Sequence, residues 1–279
     1  MPPATTGHPG PVPQSTPHDS PGVPRLSARG VVKRFGATTA LAGVDVDVAA
    51  GETLAVMGPS GSGKSTLLHC LAGILAPDAG TVRLGGTDIG TLNERERSLL
   101  RRRRLGFVFQ FGQLLSELPA VENVALPLML QGVGRAEATR RAAAWLGSLG
   151  LAGKEGRRPG ELSGGEAQRV AVARALVTGP EVVFADEPTG ALDQATGADV
   201  MRALTGATAA AGASLVLVTH DEQVAAWCSR RIHVRDGHVT DGSVQSHAAA
   251  QSRAAAASGV PAPAPGVLAS GTPTSGGPR

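Results

Sequence analysis

The sequence predicts an α/β fold with a largely parallel central sheet and a helical segment inserted into it. Two continuous apolar runs, at residues 182–185 and 214–218, have the length of strands and are typical of strands buried on both faces. A stretch with helical composition separates them, and this alternation favours a sheet covered by helices. Residues 121–150 are rich in Ala, Leu and Arg and indicate the helical insertion.

The individual elements are predicted from local periodicity. Residues 44–48 alternate valine and aspartate, the period-two pattern of a half-exposed strand, whereas residues 54–57 are a short apolar run that indicates a buried strand. An Asp-Gly pair between two β-rich runs predicts a hairpin over residues 232–240. The other predicted elements are a helix at 63–73, strands at 81–84 and 107–109, the helical stretch at 121–150 with Trp145 on its apolar side, and a helix near 196–211.

Composition limits the folded unit and the class of protein. Of the 279 residues, those at 1–25 and 246–279 are rich in Pro, Ala, Gly and Ser, so we expect two disordered tails around one domain at 26–245. The net charge of +3 is too small to predict a nucleic-acid partner. Cys70 and Cys228 fit no disulfide framework, and neither a membrane span nor a signal peptide is visible. A cytoplasmic protein is therefore expected.

Residues 58–65 (Gly-Pro-Ser-Gly-Ser-Gly-Lys-Ser) follow the predicted buried strand and begin the predicted helix. In that context the GxxxxGK[ST] pattern predicts a loop whose backbone N–H groups surround phosphate oxygens. Lys64 would reach the β and γ phosphates, Ser65 would offer its hydroxyl to Mg²⁺, and Thr66 would add a phosphate contact. A glycine-rich turn with a chance lysine is the alternative, which spacing and context disfavour. The predicted nucleotide-binding residues here are Gly58, Pro59, Ser60, Gly61, Ser62, Gly63, Lys64, Ser65 and Thr66.

Two adjacent carboxylates follow the buried run at 182–185. Asp186 is suited to hold Mg²⁺ through its water shell, and Glu187 could polarise a water that attacks the γ phosphate. Taken alone, the pair is equally compatible with a solvated acidic loop. Together with the phosphate loop, it is expected to form the second half of a nucleotide site.

Residues 162–169 (Leu-Ser-Gly-Gly-Glu-Ala-Gln-Arg) precede a helical run. Ser163, with Glu166 three residues later, matches a capping box. A capped helix start that contains Gly164 and Gly165 also presents N–H groups and the positive end of the helix dipole to an anion. One nucleotide does not easily need two such cradles from one chain. We therefore expect this cradle to close on ATP held by another subunit.

These motifs resemble those of the ABC ATPase family across residues 26–245, with 162–166 similar to the family's signature motif. The resemblance implies a P-loop NTPase core with a parallel sheet, an antiparallel β subdomain and a helical subdomain at about 98–178. It also implies roles for residues outside the two cradles. Phe35 would stack on adenine, Gln110 would sense Mg²⁺, Asp193 would lie at the interface between two such domains, and His220 would contact the γ phosphate.

The same resemblance implies an ATPase in which two chains sandwich two ATP molecules, each between one phosphate loop and the other chain's residues 163–166. Glu187 is the expected general base, with His220 orienting the γ phosphate and the attacking water. The catalytic candidates are Lys64, Gln110, Glu187 and His220, and the magnesium candidates are Ser65, Gln110 and Asp186. The implied partners are a second copy of the chain and an integral-membrane permease, which would place the protein on the inner face of the cell membrane.

Three stretches, at 109–115, 121–128 and 185–193, resemble one branch of the family. That branch contains ATPases of lipoprotein release, macrolide export and antimicrobial-peptide resistance, and a related cell-division subunit. It implies export of lipophilic or peptide cargo; the alternative is a non-transport ATPase whose membrane partner regulates cell-wall enzymes. Two residues depart from the usual family pattern: Phe35 replaces a tyrosine and Gly190 replaces a serine.

Two further stretches allow more than one interpretation. Leu114 and Leu115 could line a groove for a cytoplasmic helix of the permease, or could pack within the helical subdomain. The basic run at 101–104 could bind lipid headgroups or nucleic acid, but a solvated helix face is the favoured interpretation, given the small net charge.

Overall fold

The computed structural model describes residues 23–110 and 114–244 of the chain. These residues form ten strands, seven α-helices and two short 3₁₀ turns. The strands are β1 (Leu26–Phe35), β2 (Thr38–Val48), β3 (Thr53–Met57), β4 (Ala79–Leu84), β5 (Thr87–Asp88), β6 (Leu105–Phe109), β7 (Val182–Asp186), β8 (Ser214–Val218), β9 (Arg230–Arg235) and β10 (His238–Val244). The helices are α1 (Lys64–Leu71), α2 (Glu94–Arg104), α3 (Ala120–Leu130), α4 (Arg135–Ser148), α5 (Gly164–Leu176), α6 (Gln194–Ala210) and α7 (Glu222–Ala225).

The central sheet has six strands in the order β10-β9-β3-β8-β7-β6. From β9 to β6 all neighbouring strands are parallel, and β10 pairs antiparallel with β9 at the edge. The sheet is buried on both faces: Leu54 and Val56 of β3 enter one core cluster, whereas Ala55 and Met57 enter the other. The predicted parallel sheet is confirmed, and its continuous apolar runs are explained by the two cores.

A second sheet is antiparallel, with the order β2-β1-β4-β5. Residues 44–48 of β2 alternate between buried valines and exposed aspartates, as predicted. The buried face of this sheet shares a core with α1 and with one face of the central sheet, through Leu26, Leu41 and Leu67. This antiparallel sheet is the β subdomain, and it rests on the helix that follows the phosphate loop.

The helical stretch predicted at 121–150 is two helices, α3 and α4. The chain turns between them at 131–134, where Gly132 has φ of 89°, a conformation that favours glycine. The break was missed because the stretch was assigned by its overall content of Ala, Leu and Arg, although α3 is richer in Leu and α4 in Ala and Arg. Strand β6 lies inside the residues expected to form the helical subdomain, 98–178, yet it pairs with β7 in the central sheet. The two expected tails lie outside the described residues, apart from 23–25.

The basic run at 101–104 ends α2; Arg103 is exposed, and the other three arginines are half-buried. Arg101 donates to the carbonyl oxygen of Gly73 at 2.5 Å, and Arg104 donates to Glu181 at 2.5 Å and 3.0 Å. Arg25, just before β1, also contacts Glu181, at 3.3 Å. The interpretation of this run as a simple solvated face is wrong: Arg101 connects α2 to the end of α1, and Arg104 connects it to Leu84 of β4 and to the residue before β7.

The predicted hairpin is confirmed as β9 and β10, joined by a two-residue turn in which Asp236 and Gly237 both have positive φ, 49° and 75°. Cys70 and Cys228 are free and buried. Burial raises the pKa of Cys70 to about 11 and that of Cys228 to about 12, so both thiols stay protonated and unreactive. No helix in the two described ranges has the length and apolar character needed to cross a membrane.

Candidate functional site

The phosphate loop occupies the turn between β3 and α1. Three of its glycines have positive φ: Gly58 at 143°, Gly61 at 76° and Gly63 at 106°. A Cβ atom on Gly58 would lie 2.1 Å from the carbonyl oxygen of Val234, and one on Gly63 would lie 2.4 Å from that of Ala40. Glycine is therefore required at both positions by backbone conformation and by the close approach of neighbouring chain segments. The result is a tight, concave loop at a helix N-terminus.

Two polar groups are buried within this loop. Lys64 is only 7% exposed, and its ammonium donates to the carbonyl oxygen of Pro59 at 2.6 Å. The hydroxyl of Ser62 is buried and has no hydrogen-bond partner among the described residues. A buried cation and an unsatisfied hydroxyl, enclosed by a glycine-rich turn, fit a bound polyphosphate.

The predicted magnesium ligands are partly brought together. Asp186 ends β7, and the hydroxyl of Ser65 donates to its Oδ1 at 3.4 Å. Burial raises the pKa of Asp186, although the hydrogen bond from the Ser65 hydroxyl and the charge of the Lys64 ammonium work in the opposite direction. Gln110 follows β6, the strand next to β7, and its side-chain amide lies close to Gly190.

The donor set suits Mg²⁺. Carboxylate and hydroxyl oxygens are the ligands that this ion prefers, and it usually retains water and phosphate ligands as well. Within 23–110 and 114–244, no group of three or more His, Cys, Asp or Glu side chains is placed to hold a metal ion by itself. The protein would therefore supply only part of the coordination, from Ser65 and Asp186.

Glu187 and His220 lie side by side at the carboxyl ends of two adjacent parallel strands, β7 and β8. The Nδ1 atom of His220 is 2.8 Å from Oε1 of Glu187. The backbone N–H of Glu187 donates to the carbonyl oxygen of Val218 at 2.9 Å, and its φ is 45°. This left-handed conformation is rare for a residue with a long side chain, and such strain occurs preferentially at functional sites.

The loop from Glu187 to Asp193 is closed by its own backbone bonds. The N–H of Gly190 donates to the carbonyl oxygen of Glu187 at 3.0 Å, and that of Leu192 to Thr189 at 3.0 Å. Asp193 is exposed and caps α6 by accepting the N–H of Thr196 at 3.0 Å. The Thr196 hydroxyl, then its N–H, hold the pKa of Asp193 below the ordinary value. The carboxylate that was predicted to lie at a dimer interface is therefore ionised and on the surface.

The capping box predicted at the start of α5 is present. Ser163 Oγ accepts the N–H of Glu166 at 3.3 Å, and Glu166 accepts the N–H of Ser163 at 2.9 Å. Ser163 and Gly164 are exposed, whereas Gly165 is buried against α6, where a Cβ would lie 2.4 Å from the methyl group of Thr196. This second cradle contacts α6 and the helical subdomain, and it opens to the surface of the chain.

Phe35 ends β1 and is 51% exposed. The ammonium of Lys33 lies 5.7 Å from the ring centroid and is fixed by Asp78 at 3.0 Å. An exposed aromatic ring with a cation on one face is available to stack with a flat ligand. The stacking of Phe35 on adenine stays a prediction.

Two interactions were not foreseen from the sequence. The ammonium of Lys154 contacts the carboxylate of Glu166, and the side-chain amide of Gln168 donates to the carbonyl oxygen of Phe109 at 2.8 Å, just before Gln110. Each joins residues that are separated by a turn or by a whole subdomain, so no local pattern indicated it. Leu114 packs against the helical core, as the packing interpretation predicted, while Leu115 is 44% exposed.

Comparison with known proteins places these features in a family. The family model described as ABC transporter matches residues 41–190. The lipoprotein-releasing system ATP-binding protein LolD of Psychrobacter arcticus is 48% identical over 202 residues, which cover 72% of this chain and 89% of that protein. The macrolide export ATP-binding/permease protein MacB of Nitrosomonas europaea is 45% identical over 226 residues. Those residues are 79% of this chain but only 34% of MacB, so the chain spans about a third of that relative.

A solved structure shows the same fold. It is a dimeric ATP-binding cassette in a post-hydrolysis state, bound to ADP and phosphate, and it is 36% identical to this chain. The TM-score is 0.72, with 79% of this chain and 98% of that chain covered.

Proposed function

This chain belongs to the ABC transporter family, and from that premise we propose that two copies of it form the ATP-hydrolysing engine of a separate membrane permease. The contact that carries the proposal is the one between Glu187 and His220. It places a carboxylate and an imidazole 2.8 Å apart. His220 follows β8, the neighbour of the strand β3 that leads into the phosphate loop, and Glu187 follows β7, one strand further.

ATP would bind with its phosphates in the loop at 58–66. Lys64 would exchange the carbonyl oxygen of Pro59 for the β and γ phosphates, and the N–H groups of the loop would surround the phosphate oxygens. Phe35 would stack on the adenine ring. Because in-line phosphoryl transfer requires mainly positioning and charge neutralisation, these contacts supply much of what the reaction needs.

Glu187 would act as general base toward the attacking water, and His220 would orient both the carboxylate and the γ phosphate. The 2.8 Å contact fixes the direction of the carboxylate, and the backbone bond from Glu187 to Val218 fixes its position at the strand end. Ser65 and Asp186 would hold Mg²⁺, with Gln110 completing the site when the nucleotide is bound. The ion would neutralise charge on the β and γ phosphates.

A second copy would complete each site. Ser163 and Gly164 are exposed, whereas Gly165 is buried against α6. We therefore place this cradle over the nucleotide of the partner chain, with Asp193 close to the same interface. The solved relative is a dimer, which agrees with this arrangement.

The permease would be an integral-membrane protein that holds the chain at the inner face of the cell membrane, and the exposed Leu115 would line a groove of this chain that receives a cytoplasmic helix of the permease. The named relatives act in lipoprotein release and macrolide export. Lipophilic or peptide cargo that leaves the membrane is the corresponding proposal for this chain.

The test is Glu187→Gln, which keeps the size and backbone strain of the residue but removes the base. Turnover should fall by about 10²- to 10⁴-fold, the usual contribution of a general base, while ATP is still bound and an ATP-loaded dimer accumulates. Steady-state ATPase rates and light scattering with and without MgATP measure these effects. Glu137→Gln, on the exposed face of α4, is the control. If Glu187→Gln hydrolyses ATP at the wild-type rate, Glu187 is not the base.

A further inference from the structure

The start of α5, which we propose as an anion-binding cradle, carries a negative charge of its own. Glu166, at the third position of the helix, carries a carboxylate that bonds the N–H of Ser163 at 2.9 Å. The cap therefore places a negative charge within the same helix start that would receive the γ phosphate of the partner's ATP. Two negative charges at one helix start repel each other, unless a cation compensates one of them.

Lys154 provides that compensation. Its ammonium contacts the carboxylate of Glu166 from the loop that follows α4. The loop is held by backbone bonds: the N–H of Lys154 donates to Leu151 at 3.0 Å, and the carbonyl oxygen of Lys154 accepts the N–H of Arg157 at 3.0 Å. The carbonyl oxygen of Glu155 in turn accepts the N–H of Val121, at the start of α3. The lysine is thus fixed from both sides of its own turn.

We propose that Lys154 is a positioning residue for the ATP site, which neutralises the Glu166 carboxylate and holds it against the N–H of Ser163. This inference rests on the proposed function, because it assumes that residues 163–166 receive a phosphate. With Lys154 in place, the helix start presents its N–H groups without a net negative charge.

Other features distinguish this pair from an ordinary surface salt bridge. The side chain of Glu166 is only 19% exposed and that of Lys154 is 41% exposed. The contact with Lys154, followed by the N–H of Ser163, lowers the pKa of Glu166 to about 2, so the carboxylate is charged at every physiological pH. Arg141 and Glu137 on α4 form a comparable ion pair, but their side chains are 47% and 34% exposed and neither belongs to the cradle.

The experiment is a double-mutant cycle on the full chain: wild type, Lys154→Met, Glu166→Gln and the double variant. Glutamine at the third helical position preserves the capping box but has no charge to compensate. Lys154→Met should lower kcat/KM for MgATP by about tenfold, the effect of one uncompensated charge several ångströms from a phosphate in a partly solvated site. The double variant should return to the rate of Glu166→Gln, and Lys154→Arg should be close to wild type.

The affinity of the single chain for ADP distinguishes two roles of Lys154. The substitution would change this affinity if Lys154 only supported the fold, but not if Lys154 only compensated the charge of Glu166. Since ADP would occupy only the chain's own phosphate loop, its affinity should be equal in wild type and Lys154→Met. Arg141→Met removes an ion pair from the same subdomain and is the matched control, expected to leave kcat/KM unchanged.

The proposal is overturned if Lys154→Met hydrolyses MgATP as well as wild type, or if its defect persists undiminished in the Glu166→Gln background. Should Lys154→Met alone fail to fold, the double variant decides: recovery to the level of Glu166→Gln supports the compensation of charge, and failure to recover assigns Lys154 to the fold. Wild type without any ATPase activity would refute the proposed function itself, which is a separate outcome.

Discussion

Gly190 is the residue through which the position of Gln110 can be tested without replacing any of the predicted catalytic side chains. Its φ is not in the left-handed region, so alanine can adopt the same backbone. A Cβ atom at 190 would lie 2.8 Å from Nε2 and 3.3 Å from Cδ of Gln110, and 3.3 Å from Oε2 of Glu187. Ordinary contacts of this kind are about 3.5–4.0 Å, so the amide of Gln110 must move by roughly 1 Å.

Because Gln110 can swing away, Gly190→Ala should fold normally and change the free energy of unfolding by about 1 kcal/mol or less. Its catalytic effect should be much larger. A displacement of about 1 Å in a positioning group can cost about 10²-fold in rate, so we expect kcat to fall between tenfold and a hundredfold while the affinity for ATP is kept. Steady-state ATPase assays and equilibrium binding of a fluorescent ATP analogue separate the two quantities.

Gly197→Ala is the matched control, since its Cβ would meet Thr189 at 3.4 Å and 3.6 Å, which is ordinary packing near the same loop. It should hydrolyse ATP like wild type. A Gly190→Ala variant with the kcat of wild type would show that the position of the Gln110 amide has no role in turnover, and the argument from this contact would be wrong.

Two other substitutions test ATP binding at the site and the stability of the domain that carries it. Phe35→Ala should weaken ATP binding by about 1–3 kcal/mol, the range measured for stacking of a base on an aromatic ring, with little change in kcat; an unchanged ATP dissociation constant would remove Phe35 from the site. Glu181→Gln should lower the free energy of unfolding by about 1–2 kcal/mol at neutral pH, as measured by urea denaturation. Burial opposes the charge on Glu181, but bonds and attraction from Arg104 and Arg25 outweigh it and hold its pKa below the ordinary 4.5. The contribution of Glu181 to the free energy of unfolding is therefore complete above about pH 4.5 and is lost as the pH falls through the folded-state pKa. The difference in stability between wild type and Glu181→Gln should shrink in acid. A difference that does not depend on pH would contradict this reasoning.

The sequence predicted best what depends on short stretches of chain. The phosphate loop, the capping box at Ser163 and the hairpin turn at 236–237 each depend on residues within one turn of one another, where backbone conformation and hydrogen bonding are set locally. Both faces of the central sheet are covered, so its strands are uniformly apolar and easy to recognise.

Long-range pairs could not be predicted in the same way. Glu187 and His220 meet because β7 and β8 are neighbours, and strand order is decided by packing of the whole domain. The arginines at 101–104 look like a solvated basic face because composition does not show that Glu181 and the carbonyl oxygen of Gly73 lie opposite them. The separation of α3 from α4 was missed for a related reason: Gly132 lies in a stretch whose composition is helical on both sides.

The left-handed backbone of Glu187 has a consequence for any attempt to engineer this protein. A φ of 45° suits glycine, and a side chain there is held at a cost of about 1–2 kcal/mol. Selection for thermal stability alone would favour the replacement of Glu187 by glycine. The most stable variants recovered would then be ones that no longer hydrolyse ATP. A screen on this scaffold therefore needs turnover as its first criterion and heat only as its second.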